Sequence, residues 1–276
     1  MSGRFNTILV PVDFSVNTEV AVAKALELIE GAAAMIHLLH VQRRDVLQEF
    51  IKGNANRNQE KIHGKLDELS KRIRKSRPNV GISCWLTDSH SIEDAIVQEA
   101  ARLDVDLIII GKHSSNSVFT FSKTVLSSQI AIDSGIPVLT VKPGSLNGPV
   151  KTVVIPVGPT FPWKKLELLD TWRHRPGFHI RLVSYLSHEK DDAHSKESLL
   201  NTFRLLKTNW PGSVEYDVLR GNNQAKALLN YCNKVNADML IVYPGVETKI
   251  GGLLNRHISD ELPPDSRTQV LAVQPA

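Results

Sequence analysis

The sequence has little reactive or structural cysteine: of 276 residues only Cys84 and Cys232 carry a thiol, too few for a disulfide framework or a cysteine-rich metal site. Both read as small buried apolar groups. The ten histidines show no metal-ligand spacing. His37 and His40 lie three apart in a strand-like run, which puts them on opposite faces. No apolar run approaches the ~20 residues of a membrane helix. The opening residues MSGRFN lack the hydrophobic region of a signal peptide. These absences predict a cytoplasmic protein with no membrane partner. A strong charge of one sign is missing too, because 33 basic and 29 acidic residues leave only +4. The densest basic stretch, Arg43–Arg77, carries eleven basic and five acidic residues, +6 (11 − 5). Its apolar residues Ile62, Leu66, Leu69 and Ile73 form one helical stripe, so the charges read as a solvated helix face, and nucleic-acid binding is not expected.

What the chain does have is a regular alternation of strand and helix signals. Asn6–Val12 is a short hydrophobic strand that ends at Asp13, and Ser15 or Asn17 can cap the helix after it. Met35–Val41 is a second strand and Val80–Leu86 a third. Ser91 with Asp94 has capping-box spacing ahead of the stripe Ile92, Ala95, Ile96 and Ala100. Val105–Gly111 carries consecutive apolar residues before its glycine, the pattern of a strand buried on both faces. The carboxyl ends of such strands hold ligands in open α/β sheets, so the polar loop His113–Ser117 is the natural place for a site. Val118–Ile132 reads as a helix and Pro137–Val141 as a closing strand.

After the loop Gly144–Pro149 the pattern begins again. Thr152–Val157 repeats Thr7–Val12, 145 residues further on (152 − 7). Asp238 repeats Asp106, and Val270-Leu271 repeats Val138-Leu139, both 132 residues further on (238 − 106). The strands His179–Tyr185, Ser213–Leu219 and Met239–Val242 and the helices Leu199–Leu206 and Ala225–Cys232 follow in register. Two copies of one α/β unit, 1–143 and 150–276, are therefore expected.

The residues ILVPVD at Ile8–Asp13 with Phe14-Ser15, IEDAI at Ile92–Ile96, DLIIIG at Asp106–Gly111 and PVLTV at Pro137–Val141 resemble the universal stress protein family. The repeat makes the chain similar to its tandem members. The resemblance implies two tandem three-layer α/β sandwiches with mostly parallel five-stranded sheets, of the adenine nucleotide alpha hydrolase-like type, related by a pseudo-two-fold axis. In ATP-binding members an aspartate after the first strand contacts the nucleotide. A loop of form G-x-x-G, nine residues, G and Ser or Thr wraps the phosphates. Backbone N–H groups approach phosphate closely only where side chains are absent.

Carried onto this chain, Asp13 stands at the aspartate position and Gly111 at the first glycine. Ser114 replaces the second glycine, Thr124 the third, and Val125 the final hydroxyl residue. The candidate nucleotide set is Asp13, Gly111, Ser114, Ser115 and Thr124. For Asp13 the alternative is a local cap on the next helix or loop. In the second copy Gly158, Tyr243, Val246, Arg256 and His257 occupy the corresponding positions, and the Tyr243 ring is expected to fill that cleft. Lys151, Lys164, Lys165, Arg173, His174 and Arg175 read as solvated surface rather than a binding rim. His113 beside Ser114 and Ser115 suggests a hydrolase triad, but no acidic partner is indicated and no catalytic residue is assigned.

The function these readings predict is a non-enzymatic stress-response protein with degenerate nucleotide loops. It needs no cofactor and acts through an unidentified protein partner, with a homodimer as one assembly. The alternative is a regulatory module that binds ATP in the first-half cleft only.

Overall fold

The computed structural model describes residues 5–29, 34–43, 55–112, 126–173, 176–186, 192–245, 247–250 and 256–275. The first copy runs β1 (Thr7–Pro11), α1 (Val16–Leu28), β2 (Met35–Arg43), α2 (Ala55–Ser76), β3 (Gly81–Ser89), α3 (Ile92–Arg102), β4 (Leu107–Gly111), α4 (Ser127–Ser134) and β5 (Val138–Val141). The second runs β6 (Thr152–Pro156), α5 (Trp163–Leu169), β7 (His179–Leu186), α6 (Asp192–Asn209), β8 (Ser213–Arg220), α7 (Gln224–Lys234) and β9 (Met239–Val242). It continues through the small hairpin β10 (Lys249–Ile250) and β11 (Arg256–His257), then α8 (Ile258–Glu261) and β12 (Gln269–Ala272).

The helices start where short polar side chains can hold the first free N–H groups. Ser15 accepts from the Asn17 N–H at 3.2 Å, Ser91 from Asp94 N–H at 3.2 Å and Asn223 from Lys226 N–H at 2.9 Å. The stripe read on α2 is realised: Leu66, Leu69 and Ile73 are buried and Ile62 packs against them. In α4, the described helix begins at Ser127, and the expected start at Val118 lies outside the described residues. It ends on Gly135, whose φ of 70° is the left-handed turn that favours glycine.

The strands form one ten-stranded sheet in the order β3-β2-β1-β4-β5-β12-β9-β6-β7-β8. Each copy supplies five of these strands, and the two sets of five are continuous rather than standing as two distinct sheets. Every neighbouring pair is parallel except β5 and β12, which meet antiparallel, Val270 opposite Thr140, Leu271 opposite Leu139 and Ala272 opposite Val138. An edge strand carries unpaired N–H and C=O groups; pairing two such edges satisfies both, so the sheet continues from one copy into the other.

Helices cover both faces of the sheet. On one face, residues of α1, α2, α5 and α6 pack on Ile8, Ile36, Ile109, Val153 and Leu182. On the other, α3, α4, α7 and α8 pack on Leu9, Leu39, Ile108, Val154 and Leu240. Both apolar layers run through both copies. The repeated aspartate has the same task in each: Asp106 accepts the Asn6 and Thr7 N–H groups at 2.9 Å, and Asp238 accepts those of Lys151 and Thr152 at 2.9 Å. Each carboxylate fixes the entry of its copy's first strand beside the strand it precedes.

The join between copies carries buried lysines. Lys112 pairs with Asp260, Lys142 donates to the Leu262 carbonyl, and the Gly144 N–H donates to Pro264 at 3.0 Å. Gly144 lies so close to the second copy that a Cβ there would stand 2.1 Å from the Asp265 carbonyl oxygen. A second close approach joins β4 to α1, where a Cβ on Gly111 would stand 2.0 Å from the Asn17 carbonyl oxygen. Gly111 is thus required by packing within the fold, whatever else it does. Gly111→Ala is expected to lower the unfolding free energy by about 2 kcal/mol or more, read by urea denaturation.

Burial, reinforced by repulsion from Lys112 and opposed by Asp260 and Glu261, lowers the Lys142 pKa from its ordinary 10.5 to about 8. The folded chain therefore binds this proton less tightly than the unfolded chain. The penalty is complete below pH 8 and disappears above pH 10.5, so this group makes stability rise with pH across that window. The rise is at most about 3 kcal/mol. Denaturation at pH 7.5 and pH 10 is expected to show it in the natural chain and to show less of it in Lys142→Met.

Candidate functional site

In each copy the strand order reverses direction at one place. The chain leaves β1 for β2 on one side and returns to β4 on the other, so β1 and β4 flank a switch point, and β6 and β9 flank its counterpart. Crevices at the carboxyl ends of such strand pairs are where open α/β sheets hold ligands.

At the first switch point, Asp13 follows β1 and Gly111 closes β4. Both are tied to the first turn of α1. Asp13 Oδ1 accepts from the Ser15 N–H at 3.0 Å, the Ser15 hydroxyl at 2.6 Å and the Thr18 hydroxyl at 2.7 Å. The Asp13 N–H in turn donates to Thr18 Oγ1 at 3.0 Å. Of the two readings of this residue, the local cap is present. Phe14, between Asp13 and Ser15, has φ 59°, a conformation that few large side chains adopt. Its ring lies 5.0 Å from that of His40 and 5.1 Å from Lys65 Nζ, both measured to the Phe14 ring centroid. His40 faces the Val12 carbonyl through Nδ1 at 2.7 Å, and burial lowers its pKa. Lys112, which follows Gly111, is buried and turned to Asp260 of the second copy. Ser114, Ser115 and Thr124, and His113 with them, lie outside the described residues. The structure therefore brings Asp13 and Gly111 to the same helix turn.

At the second switch point the corresponding space holds side chains. Lys165, on α5, is fully buried rather than part of a solvated basic surface, which corrects the sequence reading. Its ammonium bonds to the Pro156 carbonyl at 2.8 Å and to both oxygens of Glu247 at 2.9 and 2.7 Å. The Tyr243 ring centroid is 4.0 Å from the same nitrogen. Tyr243 also donates its backbone N–H to Glu247 at 2.6 Å. Burial lowers the Lys165 pKa while Glu247 raises it, with burial the larger; burial and Glu247 together raise that of Tyr243. Gly158, in the position that Asp13 holds in the first copy, has no atom within 4 Å of a would-be Cβ. The expectation that Tyr243 fills this cleft is met in part: its ring is one wall of a charged plug.

Sequence reasoning missed that plug. Lys165 and Glu247 are 82 residues apart, and nothing in either local segment marks them as partners. Glu247 is presented by a tight turn in which Gly245, with φ 108°, accepts from the N–H groups of Thr248 at 3.1 Å and Lys249 at 2.9 Å. Only the dipeptide Pro244-Gly245 signals that turn in the sequence.

The remaining candidates make contacts within the fold. His37 Nδ1 lies 2.5 Å from Ser83 Oγ and 3.2 Å from the Trp85 indole nitrogen, and Arg102 stacks over Trp85 at 4.2 Å. Cys232 is buried, which pushes its thiol up to about 12. Cys84 corrects the sequence reading, because it lies exposed on β3, at the sheet's edge, where its thiol contacts the Leu66 carbonyl. Among the described residues no three His, Cys, Asp or Glu side chains are grouped as metal ligands, and no helix is long and apolar enough to cross a membrane.

No curated protein matches the chain by sequence. Among solved structures, a universal stress protein from Archaeoglobus fulgidus DSM 4304 is similar over 98% of this chain and 98% of its own, with a TM-score of 0.68 and 14% identity. A functionally unknown protein from Pseudomonas aeruginosa PAO1 is similar over 99% of this chain and 94% of its own, with a TM-score of 0.60 and 14% identity. At that identity the likeness is one of fold. The model of the universal stress protein family matches residues 4–142, half of the chain, from ahead of β1 through β5. With its strand order, its repeated α/β unit and that match, the chain belongs to the universal stress protein family.

Proposed function

We propose that this chain is a non-enzymatic, cytoplasmic stress-response protein that acts through contacts with other proteins, and that its second cleft takes no nucleotide. One observation carries the reading: the second switch point is filled by Lys165, Glu247 and Tyr243. A ligand entering there would have to separate a buried ion pair, which typically costs several kcal/mol. Exposed aromatic surface just ahead of Lys165 in the chain favours a protein partner. Trp163 is 61% exposed beside Phe161, their rings 4.5 Å apart. Exposed tryptophan is among the residues that most often anchor protein contacts.

The division into repeats 1–143 and 150–276, related by a pseudo-two-fold axis through the β5–β12 pairing, belongs to the same proposal. Its support is the register, in which Leu139 stands opposite Leu271, its own counterpart in the repeat. A two-fold contact has this self-matching form.

A second reading, ATP binding in the first copy alone, is favoured by the position of Asp13 and Gly111 at the first switch point. In that reading Ser114, Ser115 and Thr124 would supply the remaining phosphate contacts. Calorimetric titration of the full chain with ATP, ADP and AMP tests both. No binding supports the first reading. One site per chain, lost in Asp13→Ala, replaces it with the second; two sites per chain contradict both. Asp13→Ala also removes an acceptor from Ser15 and Thr18 and is expected to lower stability by about 1–2 kcal/mol, as the loss of a helix cap does. A thermal melt of the variant checks that value and shows that the chain used in the titration is folded.

A further inference from the structure

We infer that the second cleft is an anion-binding site whose ligand is the chain's own Glu247 carboxylate, and that a small free carboxylate can take its place when that side chain is removed. This rests on the reading that the second cleft takes no nucleotide, and extends it by naming the chemistry of what the cleft does hold.

The donors around Glu247 come from different parts of the chain. Lys165 Nζ, presented by α5, bonds to both carboxylate oxygens at 2.9 and 2.7 Å. The Tyr243 N–H, at the carboxyl end of β9, donates to one of those oxygens at 2.6 Å. A cation and a backbone N–H converging on one carboxylate are the parts of an anion site: the charge supplies attraction and the amide fixes orientation. The cation itself is held in place without the carboxylate, by the Pro156 carbonyl at 2.8 Å and the Tyr243 ring at 4.0 Å. Those contacts do not neutralise it. Lys165 is wholly buried, so with Glu247 gone it would be a charge removed from water with no counter-ion.

The turn that carries Glu247 is secured from outside the cleft. Gly245 accepts from the Thr248 and Lys249 N–H groups, the Thr248 carbonyl accepts from Ile258 N–H at 2.9 Å, and Asn223 donates to the Lys249 carbonyl at 3.2 Å. None of these bonds uses the Glu247 side chain. Truncating it therefore leaves those bonds intact and removes the anion, which leaves the Tyr243 N–H as a donor facing a space the size of a formate or acetate ion against the ammonium. The ligand class that fits is a small monoanionic carboxylate, because one carboxylate group satisfies all the donors present.

The test is chemical rescue in the full-length chain. Glu247→Ala is expected to melt on the order of 10 °C below the natural protein, as loss of one partner of a buried pair implies. Sodium formate, titrated from 0 to about 200 mM against sodium chloride at constant ionic strength, is expected to restore at least about half of that loss, the melting temperature rising with the logarithm of formate concentration above a millimolar dissociation constant. The natural chain and the double variant Lys165→Met with Glu247→Ala are expected to show no such response. If Glu247→Ala is insoluble in chloride, refolding yield becomes the readout, with at least about fivefold better recovery in formate. No formate dependence of either readout, or the same dependence in the double variant, overturns the inference. The reading it rests on is judged separately on the natural chain: two nucleotide sites per chain refute that reading whatever formate does, and a failed rescue with no such second site refutes only the anion site.

Discussion

The antiparallel pairing of β5 with β12 is the contact on which the rest of the molecule depends. Each copy alone would present a free parallel-sheet edge and two apolar layers cut off at that edge. Pairing Val138–Thr140 with Val270–Ala272 satisfies the edges and lets both layers continue from one copy into the next. The buried lysines then become intelligible. Lys112 and Lys142 reach across the join to Asp260 and to the Leu262 carbonyl, and both Gly144 and the Asp265 backbone must stay close for that to happen. Because Lys112 directly follows Gly111, the end of β4 in the first copy is fastened to the second.

Much of this fold can be read from the sequence, and the reasons are local. The strands are short apolar runs bounded by turn residues, and the first copy's helices carry capping side chains at Ser15 and Ser91. The repeated Asp106 and Asp238 mark the same structural task in both copies. What could not be read is the joining of edges. Leu139 and Leu271 are ordinary apolar residues in ordinary strands, and no single-strand pattern distinguishes an edge facing water from one facing its own repeat. The sequence therefore counts five strands in each copy without showing that β5 pairs with β12.

The candidate site was legible to a different degree. Asp13 and Gly111 stand where the family resemblance puts them, and each also has a structural duty: Asp13 accepts from Ser15 and Thr18, and Gly111 makes room for Asn17. A residue type retained at a motif position is thus weak evidence of ligand binding when the fold itself demands it. In the second cleft the residue that the sequence does not place is Lys165. Lys165 looked like surface charge because it follows Lys164 in a polar segment, and its partner Glu247 is brought to it only by the tertiary fold. Burial of a lysine cannot be inferred from its neighbours in sequence when its counter-ion arrives from another element.

The claim at the centre of this account is that the second switch point is closed by the chain's own side chains. Amide hydrogen exchange at Tyr243 reports on it most directly, because its N–H is donated to Glu247 at 2.6 Å. The account predicts slow exchange at Tyr243, comparable to the neighbouring strand β9, and no change on adding ATP. Rapid exchange at Tyr243, or protection that appears only with nucleotide, would contradict it.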